Sequence, residues 1–384
     1  MLTGIGKREV KRARIRRKLK AEKSLWDNPR SASGSLGCAV CPDKELCGGL
    51  SIESSLLDCL QFCCGNPENC DRVCRNHHEF ADRVREVGTF ELNTVPRAPK
   101  VYTPELPRVV PIIYHRSRRI VPPNISTVAL SLYSLFSART GLPRFSSHEE
   151  VCEKFCIPPG AQIVLTGTNK DPPLEKWWGL GEELRKNIII AMKNVGVSIV
   201  TTPNYSLFID RPRWDDMHSM KRIAIVHEEF IRFGLPAALH INARTERDFE
   251  RWGDYIKSRD EISHLAYEFT TGTGWPGRRK AHAEMLTKMV NDIGRPLNLL
   301  VRGGVDLLPD IAKFFDRVTS IDSSAFMRTM MRHKAYPKGN SEVSWVSSPT
   351  EPEECLDDIF FHNVEMTRLL VSDMLESLNS RKRD

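Results

Sequence analysis

QIVLTGTNKDPPLEKWWGLGEELRKNIIIAMKNVGVSIVTTPN, residues 162–204, decides the fold. It opens with a short apolar run (162–166), crosses a polar loop and a long amphipathic stretch (182–194), and returns to an apolar run at 198–202. Gly196 sits just before that return, where a glycine closes a helix. Short apolar runs alternating with amphipathic ones mark βα units, because parallel strands need a crossover between them.

Outward from this stretch the alternation continues. Strands are predicted near 109–113, 127–132, 162–166, 198–202, 237–241, 264–269, 297–301 and 318–321, and helices at 182–194, 217–233, 245–258, 278–292 and 307–315. Thr245 with Asp248 supplies a helix cap, and Gly234 and Gly294 close two helices ahead of strands. Eight strands predict an α/β fold of the (β/α)8 type. The first two strands are too close for a proper crossover helix, so the barrel is expected to be distorted or open there. By composition the chain divides into a basic tail (1–30), a cysteine-rich metal-binding module (31–95), a barrel-like catalytic domain (96–340) entered through a Pro-rich linker around 96–107, and a C-terminal helical extension (341–384).

Hydrophobic residues make up 40% of the 384, enough for one large core and a small satellite domain. No apolar run approaches the ~20 residues of a membrane-spanning helix. The N-terminus is charged where a secretory signal would be apolar, so a cytoplasmic, reducing setting is expected. Residues 7–23 carry ten Lys/Arg against two Glu, while the whole chain is only +7. The basicity therefore belongs to a tail, which either attracts a nucleic acid through counterion release or serves as a solvated extension.

Eight of the eleven cysteines cluster: Cys38, Cys41, Cys47, Cys59, Cys63, Cys64, Cys70 and Cys74. Cys38 and Cys41 form a C-x-x-C knuckle, and the 59/63 and 70/74 pairs are spaced to share a helix face. Two readings stay open: zinc in two sites of four thiolates each, or a [4Fe–4S] cluster beside a zinc site. His77 and His78 are available as substitute ligands. The string from Cys74 to His78 is superficially like a His-Asn-His nuclease, but no hairpin accompanies it. Cys152 and Cys156 read as buried small apolar residues.

Chemistry in (β/α)8 barrels resides in the loops after the strands. Here those loops carry Gly167-Thr168-Asn169-Lys170-Asp171, Pro203-Asn204-Tyr205-Ser206, Asn242-Ala243-Arg244, Glu268 followed by Thr270-Thr271-Gly272, Arg302-Gly303-Gly304 and Asp322-Ser323-Ser324. Asn169, Asp171 and Asp322 each have an alternative role as helix caps, and Gly303-Gly304 as a turn. Asp171, Glu268, Asp322, Asn204, Asn242, Arg244 and Arg302 on one rim nevertheless exceed what capping requires. Trp177, Trp178, Tyr205 and Trp275 stand nearby, as platforms for a nucleobase or as packing between barrel and helices. Asn169-Lys170-Asp171 lacks the phosphate loop of a guanine-nucleotide site, and Gly272-x-Gly274 lacks the third glycine of a dinucleotide fingerprint.

Leu165-Thr166-Gly167 with Lys170-Asp171, Pro203-Asn204-Tyr205-Ser206 and Arg302-Gly303-Gly304 resemble a bacterial family that includes DNA glycosylases excising modified bases from phage genomes. The barrel in turn looks like that of the tRNA-guanine transglycosylases. Those enzymes place zinc toward the C-terminal side of the barrel, whereas the cysteines here precede it, which argues against base exchange on tRNA. The resemblance implies cleavage of an N-glycosidic bond in DNA, leaving an abasic site. Asp322, Glu268 and Asp171 are then candidates to stabilise the sugar cation or activate water, with Asp322 favoured. Asn204 and Asn242 would read base edges, Arg244 and Arg302 would grip phosphates, and Tyr205 and Trp275 would hold a flipped base. A non-enzymatic nucleic-acid-binding protein and an iron–sulfur or radical enzyme are the alternatives; the three-cysteine loop usual in the latter is absent.

Overall fold

The computed structural model describes residues 78–207, 213–270, 276–339 and 342–380; the basic tail and all eight clustered cysteines lie outside these residues. The described residues fall into two compact units. The larger, built from 95–205, 223–241 and the chain from 253 onward, contains all eight predicted strands.

These strands are β1 (Val109–Pro111), β2 (Thr127–Ser131), β3 (Gln162–Thr166), β4 (Val197–Thr201), β5 (Ala237–His240), β6 (His264–Glu268), β7 (Asn298–Arg302) and β8 (Arg317–Asp322). All pair in parallel, in the order β1-β8-β7-β6-β5-β4-β3-β2. The remaining seam is closed by one bridge, Ile112 to Ala129, where the Ile113 amide donates to the Ala129 carbonyl at 2.9 Å. This is the distorted point expected from the short first connection.

No crossover helix spans that connection; other contacts hold it in place. The buried Arg119 guanidinium donates to the carbonyls of Phe155 and Cys156 at 3.2 and 2.7 Å, and the Asp357 carboxylate accepts the amides of Ile120 and Val121 at 2.9 Å each. The segment read as a linker is also fastened. Leu106 is buried in the barrel core, and the Arg317 guanidinium and Thr319 hydroxyl donate to the carbonyls of Leu106 and Pro107.

The helices are α1 (His78–Val87), α2 (His148–Phe155), α3 (Asp171–Gly179), α4 (Gly181–Asn194), α5 (Arg213–Arg232), α6 (Glu246–Lys257), α7 (Pro276–Ile293), α8 (Leu308–Ile311), α9 (Ser324–Met330) and α10 (Asp357–Ser380). The helix expected at 307–315 shrinks to α8, preceded by a turn of 3-10 helix. Pro309 tolerates only the first turn of a helix, and the chain does not continue helically beyond Ile311. The C-terminal part is not purely helical, since β9 (His333–Lys338) and β10 (Glu342–Ser347) form an antiparallel ribbon ahead of α10. Asn363 ties them together: its Oδ1 accepts the Ala335 amide, and its Nδ2 donates to Thr329 Oγ1 and the His333 carbonyl, all within 2.9 Å.

Between α4 and α5 lies a buried ion pair. Arg185 meets Glu229 in a two-pronged contact at 2.7 and 2.6 Å and also donates to the Trp178 carbonyl at 2.7 Å. With both side chains almost fully buried, this pair is a strict packing constraint on the α3–α4 layer.

Described by itself, the smaller unit joins α1 to residues 213–222 and 242–252. His218 Nε2 lies 2.8 Å from Glu86, and Lys221 donates to the Glu91 carbonyl at 2.5 Å. Asp248 accepts the amides of Arg244 and Thr245 while Thr245 Oγ1 accepts the Asp248 amide, the reciprocal cap anticipated from the sequence.

Candidate active site at the barrel mouth

Strand alternation builds the site. Ile112, Ala129, Val164, Ile199, Ala238, Ala266, Leu300 and Ile321 form the apolar interior of the barrel. Two residues later a strand side chain returns to the same face. The next inward layer is therefore Ser131, Thr166, Thr201, His240, Glu268 and Arg302, with Tyr114 packed against the interior cluster from just beyond β1. Register staggers this layer: Ser131 lies opposite Thr166 and Glu268 opposite Arg302, whereas Thr201 lies opposite Ala238 and His240 opposite Ala266, each level with a residue of the floor. On β8 the alternation ends at Ile321, because Ser323 already has helical dihedrals (φ −101°, ψ −11°). An apolar floor is thus topped by hydrogen-bonding groups at the C-terminal mouth.

Glu268 is the buried charge of this layer, its side chain only 3% exposed. Oε1 accepts the Thr270 amide at 3.0 Å and the Thr270 hydroxyl, and Oε2 faces the Arg302 guanidinium at 3.5 Å. Burial pushes the Glu268 carboxyl above the usual range, while Arg302 and Thr270 draw it back. Arg302 is partly exposed and also donates to the Tyr114 hydroxyl at 3.2 Å. Burial raises the Tyr114 phenol, which Arg302 partly offsets. A buried carboxylate, a partly exposed cation and a half-buried phenol therefore share one corner of the mouth.

Asp322, the favoured carboxylate of the sequence, is placed differently. Its oxygens accept the amides of Ser324 and Ala325 at 2.8 and 2.9 Å, so it caps α9. Burial raises its carboxyl, the two amides and the nearby Arg302 lower it, and its charge reaches Tyr114 as well. Asp171 is exposed in the first turn of α3, beside Pro172 and Pro173.

The loop glycines hold the rim close. Gly167 packs against the β4 exit so tightly that a Cβ would stand 2.4 Å from the Thr201 carbonyl oxygen. Its amide donates to Thr201 Oγ1 at 3.0 Å, and its carbonyl accepts the Tyr133 hydroxyl at 2.7 Å. Gly303, at φ +72°, brings the β7 loop against Thr270, the residue that orients Glu268. Asn204 is buried, and its Oδ1 accepts the Asn169 amide at 3.2 Å, linking the third and fourth loops.

Tyr205 is fully buried with its ring edge-on to Trp178, so in this conformation it presents no face to a base. Trp177 packs between Phe136 and Phe230 as part of the core. Arg244 is engaged by Asp216 at 3.0 Å, and the Asn242 carbonyl accepts the Trp252 indole, both within the smaller unit. Trp275 lies outside the described residues. Among the described residues no cluster of His, Cys, Asp or Glu is placed to hold a metal.

Sequence reasoning missed His240 and Tyr114. His240 is fully buried on β5, and neither ring nitrogen has a partner among the described residues. Each unsatisfied polar group of this kind costs about 1–3 kcal/mol, so the position is expensive to keep. Burial lowers its imidazolium to about 3 and keeps the ring neutral near pH 7. The signal was available, since His240 follows Ala238 by the same two-residue step that places Glu268 after Ala266.

No protein-family model matches the chain, and no curated protein matches it. Among solved structures, the chain is similar to one described as a "putative lyase/mutase from Burkholderia cenocepacia J2315", at 15% identity and a TM-score of 0.34, over 65% of this chain and 88% of that one.

Proposed function

We propose that the protein is a DNA glycosylase of antiviral defence that hydrolyses the N-glycosidic bond of a modified base in phage DNA. The observation that carries this reading is the buried carboxylate of Glu268 among Arg302, Thr270 and Tyr114 at the mouth of a parallel barrel. Breaking a base–sugar bond builds positive charge on the sugar, which a carboxylate in a low-dielectric site stabilises far better than water does. Glu268 then takes a proton from the water that attacks C1′, and its raised carboxyl suits it to that exchange. Arg302 keeps Glu268 oriented and is exposed enough to meet a phosphate. Asp322 is assigned to positioning, because both its oxygens are committed to α9.

In this reading the basic tail gathers DNA without choosing sequence. The cysteine module binds zinc, or a [4Fe–4S] cluster, as a folding element. Metal analysis of purified protein separates those two. The activity is tested by incubating the protein with phage DNA carrying modified bases and measuring free base by mass spectrometry together with abasic sites. Release of one base species supports the assignment; intact DNA after prolonged incubation with folded, metal-replete protein rejects it.

A further inference from the structure

We infer that His240 receives the leaving base, donating a hydrogen bond to the base heteroatom that becomes anionic as the glycosidic bond breaks. This inference rests on the glycosylase reading and deepens it by naming the group that meets the base.

The buried histidines of the chain set His240 apart. His282 Nδ1 lies 2.7 Å from the Tyr267 hydroxyl, His218 Nε2 lies 2.8 Å from Glu86, and His264 Nδ1 lies 2.9 Å from Ser263 Oγ. His227 is bonded to the backbone of Ala237. His240 alone among the buried, described histidines has neither nitrogen satisfied, although both are sealed from solvent. Its backbone amide is used, donating to Thr202 Oγ1 at 2.8 Å, so the strand is anchored while the ring is not. Buried groups without partners are uncommon in native proteins, and a ligand or a chemical task is one reason to keep one.

The placement suits the leaving base. Register sets His240 level with Ala266, one inward step below Glu268 on the neighbouring strand. Two strand residues rise about 6.6 Å. For a base with its C1′ at the level of Glu268 to reach that depth, the side chains that seal the ring must part, and its edge then ends in one hydrogen bond to the imidazole. The small side chains of Ala238 and Ala266 flank this level of the interior.

A neutral imidazole suits the task because it donates a hydrogen bond to a developing anion without surrendering its proton. In the proposed step the C1′–N bond breaks and its electron pair stays on the base. The His240 N–H stabilises that pair through the heteroatom that shares it. Water adds its oxygen to C1′ and passes a proton to Glu268, and that proton is released through solvent to the departing base anion, so Glu268 ends as a carboxylate and His240 keeps its own proton. The sum is DNA nucleotide plus water giving abasic sugar plus free base.

The test compares wild type, His240→Ala and His240→Gln on DNA carrying bases of graded leaving-group acidity, with a thermal melt for each protein. The expected result for His240→Ala is a KM within about threefold of wild type and a kcat lowered on the order of 10²–10³-fold. The loss should be largest for the base with the least stable anion, and His240→Gln, which keeps an N–H donor, should recover part of it. If His240→Ala melts early, the ¹⁵N shifts of the wild-type ring are read on adding free cytosine, 5-hydroxymethylcytosine, thymine, adenine and guanine, one of which should move the His240 signals. Unchanged kcat in His240→Ala, a uniform loss that glutamine does not relieve, or ring signals unmoved by every base overturns the inference while leaving the glycosylase reading standing. Wild-type protein that releases no base from any substrate overturns both.

Discussion

Replacing Gly167 by alanine tests the packing of the rim. An added Cβ would stand 2.4 Å from the Thr201 carbonyl oxygen, 2.6 Å from the Thr202 carbonyl carbon and 2.7 Å from the Pro203 nitrogen. All three are backbone atoms, so no side chain can swing aside, and the β3 and β4 exits must separate by about 1 Å to bring the closest approach to an ordinary contact. Overpacking of this kind costs about 1–3 kcal/mol. For a domain of this size that is a drop of about 2–12 °C in melting temperature. The same movement stretches the Gly167 amide to Thr201 and Asn169 to Asn204 hydrogen bonds, so activity should fall along with stability. Gly179, whose Cβ would meet nothing within 4 Å, is the control, and its alanine variant should melt within a degree or two of wild type or above it. The assay is differential scanning calorimetry on the three proteins. A Gly167→Ala protein that melts with wild type refutes the close packing of the two loops.

Arg185→Ala should cost about 3–5 kcal/mol in urea unfolding because it strands the buried Glu229 carboxylate, whereas Arg185→Met with Glu229→Leu should recover most of that loss; equal loss in both would deny the pair its structural role. His227, His240 and His264 are held neutral, at about 4, 3 and 4, against an unfolded value near 6.5. Folded values below unfolded ones mean that their contribution is intact above pH 6.5 and lost as pH falls toward 4, at about 4 kcal/mol per pH unit for the three together in that window. Urea titrations at pH 7, 6 and 5 should show about two to three protons taken up on unfolding between pH 6 and 5 and fewer than about one at pH 7, and constant stability down to pH 5 would contradict the burial of these rings. Deleting residues 1–23 should weaken DNA binding and flatten its dependence on salt while leaving the choice of base unchanged, as read by fluorescence anisotropy at several salt concentrations; an unchanged salt slope makes the tail a bystander.

The barrel was legible because period-two apolar runs and closing glycines are local signals. Each of the eight strands lies within a few residues of its expected place, and Gly196 closes α4 as the 162–204 stretch implied. The β9–β10 ribbon was not legible: Ala335 is its deeply buried position, and Pro337 and three basic residues mask any alternation in β9. Of the rim, Glu268 and Arg302 were legible by position, since both end barrel strands. Asp322 was ambiguous because a carboxylate after a strand serves equally as a cap, and only the amide directions of Ser324 and Ala325 decide between the two. Tyr205 meets the edge of Trp178, a ring from the preceding loop and helix, a tertiary pairing that no local pattern reveals. His240 was overlooked because a histidine beside apolar residues ordinarily reads as core. Its lack of partners is a three-dimensional fact.

The most direct measurement is single-turnover release of free base from modified phage DNA by wild type and by Glu268→Gln, each checked for its melting temperature and DNA affinity. Glutamine keeps the shape of Glu268 and a hydrogen bond to Thr270 but removes the negative charge that the sugar cation needs. Base release by wild type and a rate at least about 10²-fold slower for the folded, DNA-binding variant are expected. Equal rates for the two proteins, or no release by wild type, would contradict the proposed chemistry.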